Sequence, residues 1–196
     1  MPRIRFSLGV SPENASRFDD DVEKQICELA SNKYVCAVGS CGLTSSGGNG
    51  ELRAFERQIE LARVLELPLV VSAEGTYDEA LACVEAVGAP ARGVLLRAFS
   101  GSADQLERWV GMDAYVSFDA RAANDPARFV ELANLVPKRR LLVESGAPLH
   151  AVSQLEGYPT RPDQVVFVAE ALRSVCMADD LAGNYASLFG LKPFPR

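Results

Sequence analysis

Short apolar runs alternate with amphipathic stretches from one end of this chain to the other. The runs are Ile4 to Val10, Tyr34 to Gly39, Leu67 to Ser72, Gly93 to Ala98, Ala114 to Phe118 and Arg140 to Glu144. Most are continuous Val, Ile, Leu and Ala with little polar alternation, the pattern of strands covered on both faces. Between them the spacing predicts helices over Asp20 to Ala30, Glu51 to Leu65, Tyr77 to Val87, Ala103 to Val110, Pro126 to Leu135 and Pro162 to Val175, and a last one over Ala178 to Phe189. In the second of these, Phe55, Ile59, Ala62 and Leu65 recur every three or four residues while Glu51, Arg53, Glu56, Arg57 and Glu60 turn outward. That is a helix packed on a sheet. Ser102 and Thr76 stand where N-caps are expected. The alternation implies βαβ units around a parallel sheet. Periodicity alone leaves an open doubly wound sheet and most of an eight-unit barrel as alternatives.

No repeat, low-complexity tract or linker divides the 196 residues, so a single domain over 1–196 is expected, with Ser45 to Gly50 as a flexible loop. No stretch approaches the roughly 20 apolar residues of a membrane span, and the opening Met-Pro-Arg-Ile-Arg-Phe lacks the apolar core of a signal peptide. A cytoplasmic protein is expected, with no membrane partner. Five cysteines, without CxxC spacing and mostly inside apolar segments, read as reduced, buried thiols. The net charge of -6 repels a phosphate backbone at long range, so nucleic acid is not a favoured partner.

The strand ends, taken in order, carry a resemblance. They give Gly9-Val10-Ser11-Pro12, then Ala37 to Thr44 as AVGSCGLT, then Phe55, Gln58, Leu61 and Ala62, then Leu67 to Ser72 as LPLVVS. They continue with Ala98-Phe99-Ser100-Gly101-Ser102 and with Arg140 to Pro148 as RLLVESGAP, ending in Asn184, Leu188 and Phe189. Any one piece is weak, but the ordered set spans nearly the whole chain and resembles the TatD-type deoxyribonuclease family of the metal-dependent amidohydrolase barrels. The resemblance implies an α/β fold, a parallel β/α barrel of TIM type, here incomplete with about six βα units and partly open. It also implies two divalent metals at the carboxyl ends of the strands, activating water against phosphodiester bonds.

The departures fall on those metal ligands. Ser40 stands for the Glu of the family's Gly-Glu-x-Gly-Leu-Asp motif, and Thr44 for its Asp. Ser72 and Arg97 replace the two His that follow later strands, Gly146 replaces the Asp of Glu-Thr-Asp-Ala-Pro, and Ser11 the His of Gly-Val-His-Pro. The family's opening His-x-His strand has no counterpart, since the chain starts at what would be the third strand. Divalent metal catalysis needs several His or carboxylate ligands at roughly 2.0–2.2 Å and an open position for water. Hydroxyls are poor substitutes, Gly146 offers no side chain, and a guanidinium at Arg97 repels a cation. No metal or other cofactor is therefore expected.

The candidate degenerate pocket comprises Ser11, Ser40, Thr44, Ser72, Glu74, Arg97, Glu144 and Gly146. Buried charges must be paired, so Arg97 is expected to find a carboxylate, first of all Glu144. His150, the one histidine, reads as a surface or loop residue, Trp109 and Phe99 as core, and Cys41 as a structural thiol rather than half of a Cys-His dyad. The expectation is a pseudoenzyme, kept as a binding or interaction module, with an unidentified small-molecule ligand or a homodimer through exposed sheet edges. The apolar tail from Leu191 to Pro195 is a candidate cover for one edge. The alternative is a repurposed or residual hydrolase or deoxyribonuclease, acting on phosphodiester or other ester or amide substrates through Glu74, Glu144 or Cys41.

Overall fold

The structure, a computed structural model, describes residues 4–48, 50–155 and 157–191. The tail expected to cover a sheet edge lies, beyond its first residue, outside the described residues. The chain divides into two compact units, Met1–Leu95 and Leu96–Arg196.

The first unit begins with strand β1 (Phe6–Leu8), a 3-10 turn over Pro12–Arg17 and helix α1 (Asp20–Ala30). It continues with β2 (Val35–Gly42), α2 (Glu51–Val64), β3 (Leu69–Ser72) and α3 (Tyr77–Val87). β1 pairs with β2 and β2 with β3, both in parallel, and Val38 lies opposite Leu69. Burial falls on the residues that the periodicity selected: Phe55, Ile59 and Ala62 of α2 are fully enclosed, as are Val38, Leu69 and Val71 of the strands. A helix with one apolar stripe has only the sheet on which to bury it, which fixes the layering. Gly42 permits the closest strand approach, since a Cβ there would stand 1.9 Å from the Ser72 carbonyl oxygen.

Strand β4 (Val94–Leu96) spans the boundary between the units. The second unit holds α4 (Ala103–Gly111), β5 (Tyr115–Phe118), α5 (Ala120–Asn124), α6 (Pro126–Leu135), β6 (Leu141–Val143), α7 (Val165–Ala171) and α8 (Ala178–Phe189). β5 and β6 pair in parallel, with Val116 opposite Leu141. The core is aromatic: the Phe118 ring meets Phe129 edge-on at 5.5 Å and Phe99 at 6.4 Å, and Trp109 is fully enclosed. Ser102 caps α4 with a reciprocal pair, its hydroxyl accepting from the Gln105 amide and its own amide donating to Gln105 Oε1. Thr76 occupies the N-cap position of α3 but does not cap it; its hydroxyl donates instead to the Leu43 carbonyl at 3.0 Å, tying α3 to the end of β2. The helix expected over Pro162 to Val175 is a 3-10 turn, Pro162–Gln164, followed by the shorter α7. Among the described residues no helix is long and apolar enough to cross a membrane.

Candidate functional site

At the strand ends of the first unit the predicted residues are hydroxyls. Ser11 opens the 3-10 turn, where its Oγ accepts from Asn14 at 3.0 Å. Behind it the buried Gln58 side chain of α2 clamps Val10, accepting from its amide at 2.7 Å and donating to its carbonyl at 3.0 Å. Ser40 lies within β2, and its Oγ is buried without a hydrogen-bond partner among the described residues. Ser72 ends β3 opposite Gly42. Glu74 is exposed in the turn that follows.

Thr44 meets a carboxylate that sequence reasoning assigned to the solvent face. Glu51, the first residue of α2, is only 5% exposed and accepts from the Thr44 amide at 2.8 Å, the Thr44 hydroxyl at 2.6 Å and the Gly48 amide at 2.9 Å. Burial pushes its carboxyl up, but these donors from Thr44 and Gly48 outweigh it and hold the group below the ordinary glutamate range. Cys41 is enclosed beneath, and burial, reinforced by the neighbouring Cys83, pushes its thiol far above the usual cysteine range. A thiol so protonated is no nucleophile.

The strand ends of the second unit are built from charges instead. Arg97, just after β4, donates through Nε at 3.2 Å and Nη2 at 2.7 Å to Glu144 Oε1, just after β6. The pairing expected from the sequence is present. Glu144 Oε2 accepts in addition from the Ser117 hydroxyl of β5 and from the Ala98 amide at 3.2 Å. Asp119, the residue after β5, is fully buried. Its Oδ1 accepts from Arg121 Nε at 2.9 Å and from the Arg121 amide at 3.1 Å, and its Oδ2 faces His150 Nδ1. Arg121 reaches on to the Ala98 carbonyl and to Ser100 Oγ at 3.0 Å, so Ala98 joins the two charge clusters, its amide serving one and its carbonyl the other.

His150 lies in a loop, one of the two placements expected from the sequence, but it is engaged there rather than free. Its side chain is 30% exposed and turned onto Asp119, which no motif had marked. Gly146 makes room for it. At φ +72° a Cβ on residue 146 would lie 2.9 Å from His150 Cβ and 3.3 Å from Asp119 Oδ2. Around β6, Asn184 of α8 donates to the Lys138 and Leu141 carbonyls at 2.6 and 2.7 Å, and Tyr185 donates to that of Val143. Burial, and after it the Glu144 charge, push the Tyr185 phenol up, so it stays protonated and donating.

A family model described as "TatD related DNase" matches residues 1–182. The chain belongs to the TatD family. It is 25% identical over 206 residues to "3'-5' ssDNA/RNA exonuclease TatD" of Escherichia fergusonii, a match covering 97% of this chain and 79% of that one. To the "uncharacterized metal-dependent hydrolase YabD" of Bacillus subtilis it is 26% identical over 174 residues, 86% of this chain and 68% of the other. The crystal structure of YJJV, a TatD homolog from Escherichia coli K12, superposes with a TM-score of 0.86 at 24% identity, covering 96% of this chain and 77% of that one. A TatD family hydrolase from Entamoeba histolytica follows at 0.79 and 12%, over 94% and 74%. The fold is therefore the TatD α/β fold, with the parallel strand and helix alternation read from the sequence.

The chemistry of the residues at these positions differs from that of the metal ligands the sequence resemblance implies. Arg97 puts a guanidinium, already neutralising Glu144, where the motif comparison places a histidine ligand. An Asp at 146 would collide with His150 and stand beside the buried Asp119. Ser40 offers a neutral hydroxyl, a poor donor for a divalent ion.

Proposed function

We propose that this TatD family member has given up metal-dependent hydrolysis and serves as a binding or interaction module without a metal cofactor. The observation that supports the reading is the Arg97–Glu144 pair, in which a guanidinium stands at the position where the family resemblance implies a histidine ligand. A guanidinium fixed by two hydrogen bonds to one carboxylate oxygen cannot leave without exposing that carboxylate, so a second cation is opposed by Coulomb repulsion and offered no free acceptor. The exposed Phe6 of β1, with Ile4 two residues before it, supports a second copy as partner through that edge.

Metal analysis of the purified protein, alongside DNA cleavage in Mg and Mn, tests this. The expected result is no stoichiometric metal and no cleavage, and tightly bound metal with cleavage overturns it; the solution mass of the same sample reports whether two copies associate. Hydrolysis through Cys41 or Glu144 is not favoured, because the Cys41 thiol is enclosed and protonated and Glu144 is engaged by Arg97, Ser117 and Ala98.

A further inference from the structure

We propose that the His150 imidazole is a metal-free general base, oriented through Nδ1 by Asp119 and open at Nε2 to a small carboxylic ester. This goes beyond the module reading, since loss of metal hydrolysis and possession of an imidazole base are independent properties.

The geometry comes from three elements of the second unit. Asp119 directly follows β5 and caps α5, and its fully buried carboxylate has both oxygens engaged. His150 is fixed at its own amide, which donates to the Gly146 carbonyl at 2.9 Å, and packs against the bare Cα of Gly146. With Nδ1 turned onto Asp119 and the side chain still 30% exposed, catalysis requires the substrate to approach from the opposite, Nε2 edge of the ring. An ionised carboxylate accepts the Nδ1 proton, which leaves the Nε2 lone pair free in the neutral ring. A buried Asp that orients a His in this tautomer is a positioning residue, and the His is the group that touches the reacting water.

Magnitudes choose the substrate class. General base assistance contributes about 10²–10⁴-fold, whereas the slowest phosphoester hydrolyses require accelerations of up to about 10²¹. The dyad alone therefore cannot sustain phosphoester hydrolysis, but it is adequate for an intrinsically labile acyl ester. In the proposed step a water oxygen bonds to the acyl carbon as Nε2 takes one of its protons and the carbonyl electron pair moves onto oxygen. The intermediate then collapses, the bond to the leaving alkoxide breaks, and Nε2 returns the proton to it. One ester and one water give one acid and one alcohol.

Because His150 is the chain's one histidine, its ring nitrogens are observable by 15N NMR without ambiguity. The expected result is the Nδ1-protonated tautomer in the wild type. Hydrolysis of p-nitrophenyl acetate in EDTA-containing buffer should exceed that of free imidazole at equal concentration by at least about tenfold, fall to background in His150→Gln, and drop about tenfold or more in Asp119→Asn with the tautomer reversed. A wild-type ring protonated at Nε2, or a wild-type rate equal to that of His150→Gln or of free imidazole, overturns the proposal. If Asp119→Asn does not fold, the wild-type tautomer and the His150→Gln rate still decide. Metal analysis plays no part in this test, so its failure and that of the module reading are distinguishable.

Discussion

The strand ends of the first unit carry mainly neutral hydroxyls, whereas those of the second are built from charged groups. In the first, Ser40 and Ser72 stand as small neutral groups, and the buried carboxylate of Glu51 is satisfied by a hydroxyl and two amides rather than by a cation. In the second, Glu144 and Asp119 meet Arg97, Arg121 and His150. A neutral hydroxyl left without a partner costs on the order of 1–3 kcal/mol, while breaking a buried ion pair by removing one member costs about 3–5 kcal/mol. Each position in the second set is therefore tied to its neighbours, whereas positions in the first can change singly.

The sharpest way to break that contrast is to restore a family residue to the second unit. Gly146→Asp places a side chain on a backbone with φ +72°, a Cβ 2.9 Å from that of His150, and a second carboxylate beside Asp119. Strain and overpacking together should lower stability by about 2–4 kcal/mol, read from the urea midpoint, and Mn should not recover it. Wild-type stability in Gly146→Asp would show that the Asp119–His150 arrangement is not what closes the position.

How much of this was legible in the sequence follows from the range of each interaction. Helices α1, α3, α6 and α8 lie where the 3.6-residue spacing put them, because their apolar stripes were long enough to read. β1 is shorter than its apolar run, Phe6–Leu8 against Ile4 to Val10, since a run counts side chains whereas a ladder counts paired backbones. β2 is longer, reaching through the polar Ser40 to Gly42. Arg97 and Glu144 could be paired in advance because both follow apolar strands and a buried guanidinium demands an anion. Asp119 and His150 could not: they are 31 residues apart, joined by no motif, and α5 is too short at five residues to leave a periodic trace. Glu51 falls outside the apolar spacing of Phe55, Ile59, Ala62 and Leu65 and so reads as outward; its burial depends on Thr44 and Gly48 folding back over it.

A smaller effect is expected at Glu51, where the comparison can be sharpened by pH. Its folded carboxyl is held below the ordinary value by the Thr44 and Gly48 donors, against the upward push of burial. The stabilisation it provides is therefore complete above the unfolded value of about 4.3 and is lost as pH falls through the lower, folded value. Glu51→Gln should cost about 1–2 kcal/mol near pH 7, and the gap to the wild type should close as the solution is taken below about pH 4. A gap that stays constant with pH would mean that the charge of Glu51 contributes nothing to closing the loop.

The least effect belongs to Ser40. Its Oγ is buried, and no described residue donates to it or accepts from it. Converting it to Ala deletes a desolvated hydroxyl without leaving any partner stranded, so the penalty that normally accompanies loss of a hydrogen bond has no second member to fall on. Stability should be unchanged or higher by up to about 1 kcal/mol, measured as a midpoint shift at constant urea slope. A loss of more than about 1 kcal/mol would mean that the hydroxyl is satisfied in solution. The first unit's strand ends would then be bound together by their polar groups much as the second unit's are by charge, and the contrast between the two would reduce to the sign and number of the charges involved.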